Sequence, residues 1–141
     1  KPEMVKDIQD MVNAIFTLVS CRFHEFNASP EIYPKYITAA TGMDIDLEGF
    51  KRTGEKIWNL ERLFNTAAGF ERKDDALPDR CFEPIKGENS ESAVMVHGQF
   101  DEMLSEYYRI RGWDDNGIPT DRVLDELGLG EYEALKAVGG G

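Results

Sequence analysis

The fold is decided by the stretch Gly54-Glu-Lys-Ile-Trp-Asn-Leu-Glu-Arg-Leu-Phe-Asn65, in which apolar residues recur every three or four positions. That spacing is typical of one face of an α-helix. Asp46 is a suitable N-cap upstream and Gly69 a suitable stop downstream, so a helix is predicted between them. Its predicted buried stripe consists of Phe50, Ile57, Leu60, Leu63 and Phe64. The neighbouring Glu61 and Arg62 are interpreted as a solvated ion pair.

The same spacing predicts four further helices on either side of this one. They cover Glu3–Ser20, the segment from an N-cap at Ser29 to a stop at Gly42, Gln99–Arg111 before Gly112, and the segment from a cap at Thr120 to Gly128. A last helical turn is predicted over Glu131–Val138. The helices therefore account for most of the chain.

The fold class follows from these helices. Residues 70–98 are predicted to form a long, mostly irregular excursion with a short helical turn near Leu77–Phe82, and only Ala93-Val-Met-Val96 weakly resembles a strand. We therefore predict an all-α fold of about five helices, a single irregular domain over residues 1–138, with a disordered tail over residues 139–141. One core is expected to contain Ile57, Leu60, Phe64, Tyr107 and Trp113.

Charge and composition exclude several classes of function. The net charge of the 141-residue chain is −11, and its sixteen cations are scattered among twenty-seven acidic residues, whereas nucleic-acid binding needs clustered lysine and arginine. No apolar run reaches the ~18–20 residues that cross a bilayer, so no membrane contact is expected. Two cysteines do not make a disulfide framework, which favours a reducing cytoplasm. A start at Lys1 fits a processed protein or one cut from a longer polypeptide.

The segment Asp114-Asp-Asn-Gly117 resembles a calcium loop in composition but not in spacing. If Gly117 were the sixth loop position, the first and twelfth would be Gly112 and Val123, neither of which has a side-chain oxygen. The segment is predicted to be a polar turn between two helices.

Cys21 and His24 form the one place where soft and nitrogen ligands come together. A zinc site needs about four ligands and an iron–sulfur cluster normally needs four thiolates, whereas the chain has two cysteines and two histidines. A complete cluster within this chain is therefore excluded. Either Cys21 is a structural residue, which its residue type alone favours, or its partners lie on another part of a longer polypeptide.

Several further motifs resemble a known family. They are Arg72-Lys-Asp-Asp75, Leu77-Pro78, Tyr107-Tyr108 and Arg111-Gly-Trp-Asp114. Together with Trp58-Asn-Leu-Glu-Arg-Leu-Phe-Asn65 they closely resemble the C-terminal domain of the tungsten-containing aldehyde ferredoxin oxidoreductases. The resemblance covers nearly the whole chain.

The resemblance implies a role for Cys21. In the family a motif of the form Asp-x-x-Gly-Leu-Cys ends a helix of this domain, and its cysteine is the fourth ligand of a [4Fe-4S] cluster. The corresponding segment, Phe16-Thr-Leu-Val-Ser-Cys21, keeps the cysteine but has Phe16, Val19 and Ser20 in place of Asp, Gly and Leu. Cys21 is therefore the implied metal ligand, and Cys81 is a non-ligand.

The resemblance also implies a function for the full-length protein. It would oxidise aldehydes to carboxylic acids at a tungsten or molybdenum bis-pterin centre and pass electrons through the cluster to ferredoxin. Its partners would be the remaining domains of the same enzyme, and a homo-oligomer is compatible with this scheme. The isolated chain would hold no cofactor and be inactive. The alternative is a stand-alone all-α assembly module that has lost cofactor binding.

A ligand role for Cys21 requires a particular surface, because a cluster is too large for a closed helical core. The sulfur is expected at the surface just beyond the first helix, with exposed apolar area around Phe16, Val19 and Phe23 and on residues 70–98. His24 is expected to be an outer-shell or solvent-facing group.

Overall fold

A computed structural model describes residues 1–19, 21, 23, 28–84 and 95–137 of the chain. Five α-helices carry the fold there: α1 (Pro2–Phe16), α2 (Ile32–Thr41), α3 (Leu47–Ala67), α4 (His97–Arg111) and α5 (Asp121–Leu127). Short 3₁₀ helices cover Arg72–Asp74, Asp79–Phe82 and Gly130–Ala137. Within these ranges the only β-pairing is an isolated bridge between Trp113 and Pro119, so the all-α prediction is confirmed.

Most helix ends lie where their signals predict. The carboxylate of Asp46 accepts the backbone N–H of Gly49 at 2.8 Å and so caps α3. Three glycines end α2, α4 and α5 in the left-handed conformation that favours glycine: Gly42, Gly112 and Gly128. The short helix over Asp79–Phe82 confirms the helical turn predicted in the excursion.

Three helix ends differ from the prediction by two residues or more, and one of them is the start of α4, at His97 rather than Gln99. Helix α1 ends at Phe16, where the hydroxyl of Thr17 donates to the carbonyl of Ala14 at 2.6 Å and the chain turns. Helix α2 begins after Glu31 rather than Ser29, because the Ser29 hydroxyl donates to the Glu31 carboxylate instead of capping the helix. The predicted features at Ser20, His24, Ala93, Val94 and Val138 and the tail 139–141 lie outside the described residues.

The buried apolar residues form two clusters rather than one core. One joins Leu63 to α5 and the segment after it, and comprises Leu63, Val123, Leu124, Leu127 and Leu129. The other lies between α1, α2 and α3 and comprises Ala14, Ile15, Tyr33 and Phe50. Trp113 is buried as predicted.

The prediction that Phe64 is buried is wrong, since its side chain is 70% exposed. Helix α3 turns Asn59, Arg62, Leu63 and Thr66 inward instead, because the polar members of that face find hydrogen-bond partners inside the domain.

None of the helices in the described ranges combines the length and the apolar character needed to cross a bilayer.

Candidate functional site

Cys21 lies on the surface just beyond the end of α1. The apolar residues around it are also exposed, with Phe16 at 54%, Val19 at 96% and Phe23 at 76%. The expected exposure of this region is therefore confirmed. The role of Cys21 as a cluster ligand stays a prediction.

Val19 has a φ of 53°, in the left-handed region that β-branched residues rarely enter. It occupies the position at which the family motif has glycine. The chain thus adopts here a backbone conformation that glycine favours, although the residue is valine.

The residues near Cys21 fit one ligand of a shared metal group and no more. In the described part of the chain, no three His, Cys, Asp or Glu side chains come together as a metal site. An exposed cysteine can supply one thiolate, whereas a [4Fe-4S] cluster normally takes four. Cys81 is exposed as well, on the short helix Asp79–Phe82. Cys21 and Cys81 are thus both exposed and unpaired, and they differ in the residues around them.

Helix α1 also turns polar side chains toward the domain. The carboxylate of Asp10 pairs with Arg111 on α4, and both side chains are almost fully buried, at 5% and 0% exposed. Lys6 donates to the other oxygen of the same carboxylate at 2.8 Å and also pairs with Glu55 on α3 at 2.8 Å. Burial by itself lowers the pKa of Lys6, but the hydrogen bonds to Asp10 and Glu55 outweigh it and raise the pKa above its usual value.

Arg111 makes further hydrogen bonds beside this ion pair. Its Nε donates to the Tyr107 hydroxyl at 3.0 Å and its Nη2 donates to the Gln9 amide oxygen at 2.8 Å. The guanidinium also lies over the ring of Trp58, 5.5 Å from the centroid. Because all three guanidinium nitrogens have hydrogen-bond partners, the cost of burying the cation is offset.

Helices α1 and α3 touch backbone to backbone at Gly54. A Cβ atom at this position would lie 1.7 Å from the carbonyl oxygen of Asp10 and 2.9 Å from the backbone nitrogen of Ala14. No residue larger than glycine fits without moving α1. Gly54 and the Asp10–Arg111 pair together fix the position of α1, the helix that leads to Cys21.

A second buried arginine joins α3 to the two connections that follow it. Arg62 pairs with Asp75 through both carboxylate oxygens, at 2.9 and 2.7 Å, and donates from Nε to the Gly117 carbonyl at 2.7 Å. Tyr108 donates its hydroxyl to the same carboxylate. Burial, followed by the hydrogen bond to Asp75, raises the pKa of Tyr108 well above its usual value. The interpretation of Arg62 as part of a solvated pair is therefore wrong, while Glu61 is exposed.

A cavity of about 550 Å³ opens beside these networks, between the beginning of α1, α3 and α4. Its wall is mainly aromatic and aliphatic and includes Trp58, Phe100, Met103 and Leu104. Burial raises the pKa of Tyr107, another wall residue, so its hydroxyl stays protonated near neutral pH. That hydroxyl donates to the Gln9 amide oxygen and accepts from Trp58 and Arg111.

Asp114 confirms the predicted polar turn. Its carboxylate accepts the backbone N–H groups of Asn116 and Ile118, each at 2.9 Å, and Gly117 has a φ of 79°.

Sequence reasoning missed the roles of Asp10, Gly54 and Arg111, although Arg111 stood in a recognised motif.

Fold and surface together define a class: an all-α domain with buried charge networks and an exposed apolar edge next to a single cysteine. Comparison with known proteins gives the family. The family model described as "Aldehyde ferredoxin oxidoreductase, domains 2 & 3" matches residues 1–129. The chain belongs to the aldehyde ferredoxin oxidoreductase family.

Individual relatives differ in their named reactions. The chain is 38% identical over 133 residues to a tungsten-containing aldehyde ferredoxin oxidoreductase of Pyrococcus abyssi, covering 94% of this chain and 22% of the relative. It is 31% identical over 99 residues to the WOR-like subunit of an aliphatic sulfonate oxidoreductase of Pyrococcus furiosus, covering 66% of this chain and 16% of that subunit. The chain thus spans less than a quarter of the length of these relatives.

A solved structure shares the fold. It is the active-site complex BamBC of benzoyl coenzyme A reductase with 1,5-dienoyl-CoA, with a TM-score of 0.62 and 32% sequence identity. The match covers 76% of this chain and 15% of that one. The same helical domain therefore occurs in proteins whose named substrates differ.

Proposed function

We propose that this chain is the C-terminal helical domain, over residues 1–138, of a tungsten or molybdenum bis-pterin oxidoreductase. The full-length enzyme would oxidise aldehydes to carboxylic acids with ferredoxin as electron acceptor. The observation that carries the proposal is the exposed Cys21 beyond α1, in a chain that the family model matches from residue 1 to residue 129. Two unpaired cysteines suit the reducing cytoplasm in which we place the enzyme.

The role of this domain is to supply and position one thiolate. Cys21 would hold one iron of a [4Fe-4S] cluster whose other ligands come from outside this chain. When bound, the pterin-held metal supplies the oxo-transfer chemistry, in which the aldehyde gains an oxygen from water and gives up an electron pair and two protons. The residues of this chain hold α1 in place through Gly54 and through Asp10 with Arg111.

One observation favours a supporting role over a substrate-selecting one. Relatives named for an aldehyde, a sulfonate and a coenzyme A ester all match this domain, which a domain that chose the substrate would not be expected to do.

The second candidate is a stand-alone assembly module that binds no cofactor. The exchange of the motif's Asp for Phe16 favours it, because phenylalanine cannot accept or donate the hydrogen bonds of a carboxylate. This candidate requires a native gene product without the remaining domains.

One experiment separates the two candidates. The native gene product is purified without oxygen, its tungsten, molybdenum and iron are measured, and the reduction of ferredoxin is followed with a series of aldehydes. We expect tungsten or molybdenum together with iron, and reduction that depends on aldehyde. A product free of these metals would support the assembly module. A product that holds the metals but oxidises no aldehyde would overturn the proposed substrate class.

A further inference from the structure

The cavity between the beginning of α1, α3 and α4 has the size and the wall of a small-molecule site. Its volume of about 550 Å³ lies within the range of roughly 300–1,000 Å³ that is usual for ligand pockets. Trp58, Tyr107 and Tyr108 contribute aromatic rings to the wall, and Met103 and Leu104 contribute flexible apolar side chains. Since an apolar cavity of about 150 Å³ already holds benzene, this wall favours a larger ring compound over water.

One face of α1 forms a side of the cavity along the first two turns of the helix. Pro2, Val5 and Gln9 all line it, and their spacing of three and four residues places them on the same side of the helix. The buried ion pair between Asp10 and Arg111 holds this part of α1 against α4. This side of the cavity therefore belongs to a fixed helix.

The hydrogen bonds around Gln9 determine which end of its amide is spare. The Tyr107 hydroxyl accepts from Trp58 at 2.7 Å and from Arg111 at 3.0 Å. Its own proton therefore goes to the Gln9 amide oxygen, 2.7 Å away, and Arg111 donates to the same oxygen at 2.8 Å. Both lone pairs of that oxygen are thus used. The NH₂ group of Gln9, by contrast, makes no hydrogen bond within the residues that the structure describes.

The charged groups of the cavity wall balance one another. Arg62 pairs with Asp75 at 2.7 Å, and Tyr108 donates its hydroxyl to the same carboxylate. The other charged side chains of the lining are Lys1 and Glu61, one of each sign. An ion that entered would lose its hydration against a wall without net charge, which costs free energy. The wall therefore favours a neutral ligand.

We propose that this cavity binds a neutral, largely apolar ring compound that carries one hydrogen-bond acceptor, such as a ketone or an amide. The ring packs among the aromatic side chains of α3 and α4, offset or edge-on to them. The acceptor receives a hydrogen bond from the NH₂ group of Gln9, whose orientation Tyr107 and Arg111 fix. The inference goes beyond the proposed function and does not rest on it, because neither a metal nor a cluster takes part.

Benzophenone is a suitable probe of this site. It is neutral, has two rings and one carbonyl oxygen, and on near-ultraviolet illumination it bonds to C–H groups beside it. The native gene product is illuminated with increasing concentrations of benzophenone, and the labelled residues are located by mass spectrometry. We expect saturable labelling of Met103 or Leu104 in the cavity wall. Labelling that does not saturate, or that occurs only elsewhere, would overturn the proposal.

A matched pair of variants tests the hydrogen bond. Gln9→Glu keeps an oxygen for Tyr107 and Arg111 but replaces the NH₂ group by a second oxygen, whereas Gln99→Glu makes the same change at an exposed position of α4. We expect the benzophenone concentration for half-maximal labelling to rise at least about tenfold in Gln9→Glu and to stay unchanged in Gln99→Glu. Equal values in the two variants would contradict a donor role for Gln9.

A competition experiment on the unmodified native gene product tests the class of ligand without any variant. Acetophenone is a neutral ring compound with one carbonyl oxygen, and benzoate is an anion of similar size. We expect acetophenone to suppress the labelling of the cavity wall and benzoate to leave it unchanged at the same concentration. Suppression by benzoate that equals or exceeds that by acetophenone would contradict a neutral ligand.

Discussion

The two ends of α1 differ in what covers their apolar side chains. Ile15, toward the C-terminal end, is 1% exposed in a buried apolar cluster, whereas Ile8, toward the N-terminal end, is 49% exposed. The buried Asp10–Arg111 ion pair and the backbone contact at Gly54 add polar and close contacts to the same helix. The difference shows that helical spacing of apolar residues does not by itself tell which of them the domain covers. Each experiment below changes one residue, and most of them include a matched residue as control.

Breaking the inner ion pair should have the largest effect. Replacing Arg111 by Ala leaves the Asp10 carboxylate buried without its guanidinium partner, which costs about 3–5 kcal/mol of unfolding free energy. Arg109 on the same helix is an exposed partner of Glu106 whose charge water screens, so Arg109→Ala should have a much smaller effect. Urea unfolding followed by tryptophan fluorescence measures both. Equal losses would show that the buried pair does not hold α1.

Adding a side chain at Gly54 should have the next largest effect. Gly54→Ala places a methyl group against the α1 backbone, and we expect a net loss of about 2–3 kcal/mol even after the gain in helix propensity. Gly98→Ala in α4 meets no atom within 4 Å and should stabilise by up to about 1 kcal/mol. Both are measured by thermal and urea unfolding. A stable Gly54→Ala variant would contradict the close approach of the two helices.

Tyr108 makes the stability of the network around Arg62 and Asp75 depend on pH. Its folded pKa lies above the unfolded value of about 10, so its stabilising contribution is fully present below pH 10 and is lost as pH rises through the folded pKa. Tyr108→Phe should cost about 1.5–3 kcal/mol at neutral pH, because Asp75 loses a donor. The variant should also lose stability less steeply above pH 10. Unfolding curves at a series of alkaline pH values measure this slope, and an unchanged slope would contradict the assignment.

The smallest effect is expected for truncation of the exposed side chain of Ile8. Ile8 is 49% exposed, so Ile8→Ala should cost the 141-residue chain less than about 1 kcal/mol. Ile15 on the same helix is 1% exposed, and Ile15→Ala should cost about 2–5 kcal/mol. Chemical unfolding compares the two directly. A large loss for Ile8→Ala would mean that Ile8 already packs within this chain.

Signals within one helical turn predicted the helices well. Which side chains are buried depends instead on partners far away in the sequence. The Asp46 cap and the stop at Gly112 act within one helical turn, and the structure confirms both. The burial of Arg62 depends on Asp75 and Gly117, and that of Arg111 depends on Asp10 at a separation of 101 residues. Helical spacing does not contain that information, which is why Phe64 was placed inside. For Cys21, ligand chemistry predicted the exposure, while the family resemblance supplied the role.

The central claim is that Cys21, presented by α1, is a cluster ligand, and Cys81 offers a matched control because both cysteines are exposed and unpaired. The native gene product and its Cys21→Ala and Cys81→Ala variants are purified without oxygen, and iron content and electron paramagnetic resonance spectra are recorded. We expect Cys81→Ala to keep the iron content and spectrum of the unmodified protein. Cys21→Ala should lose iron or show the signal of a three-iron cluster. An unchanged iron content and spectrum in Cys21→Ala would contradict the account.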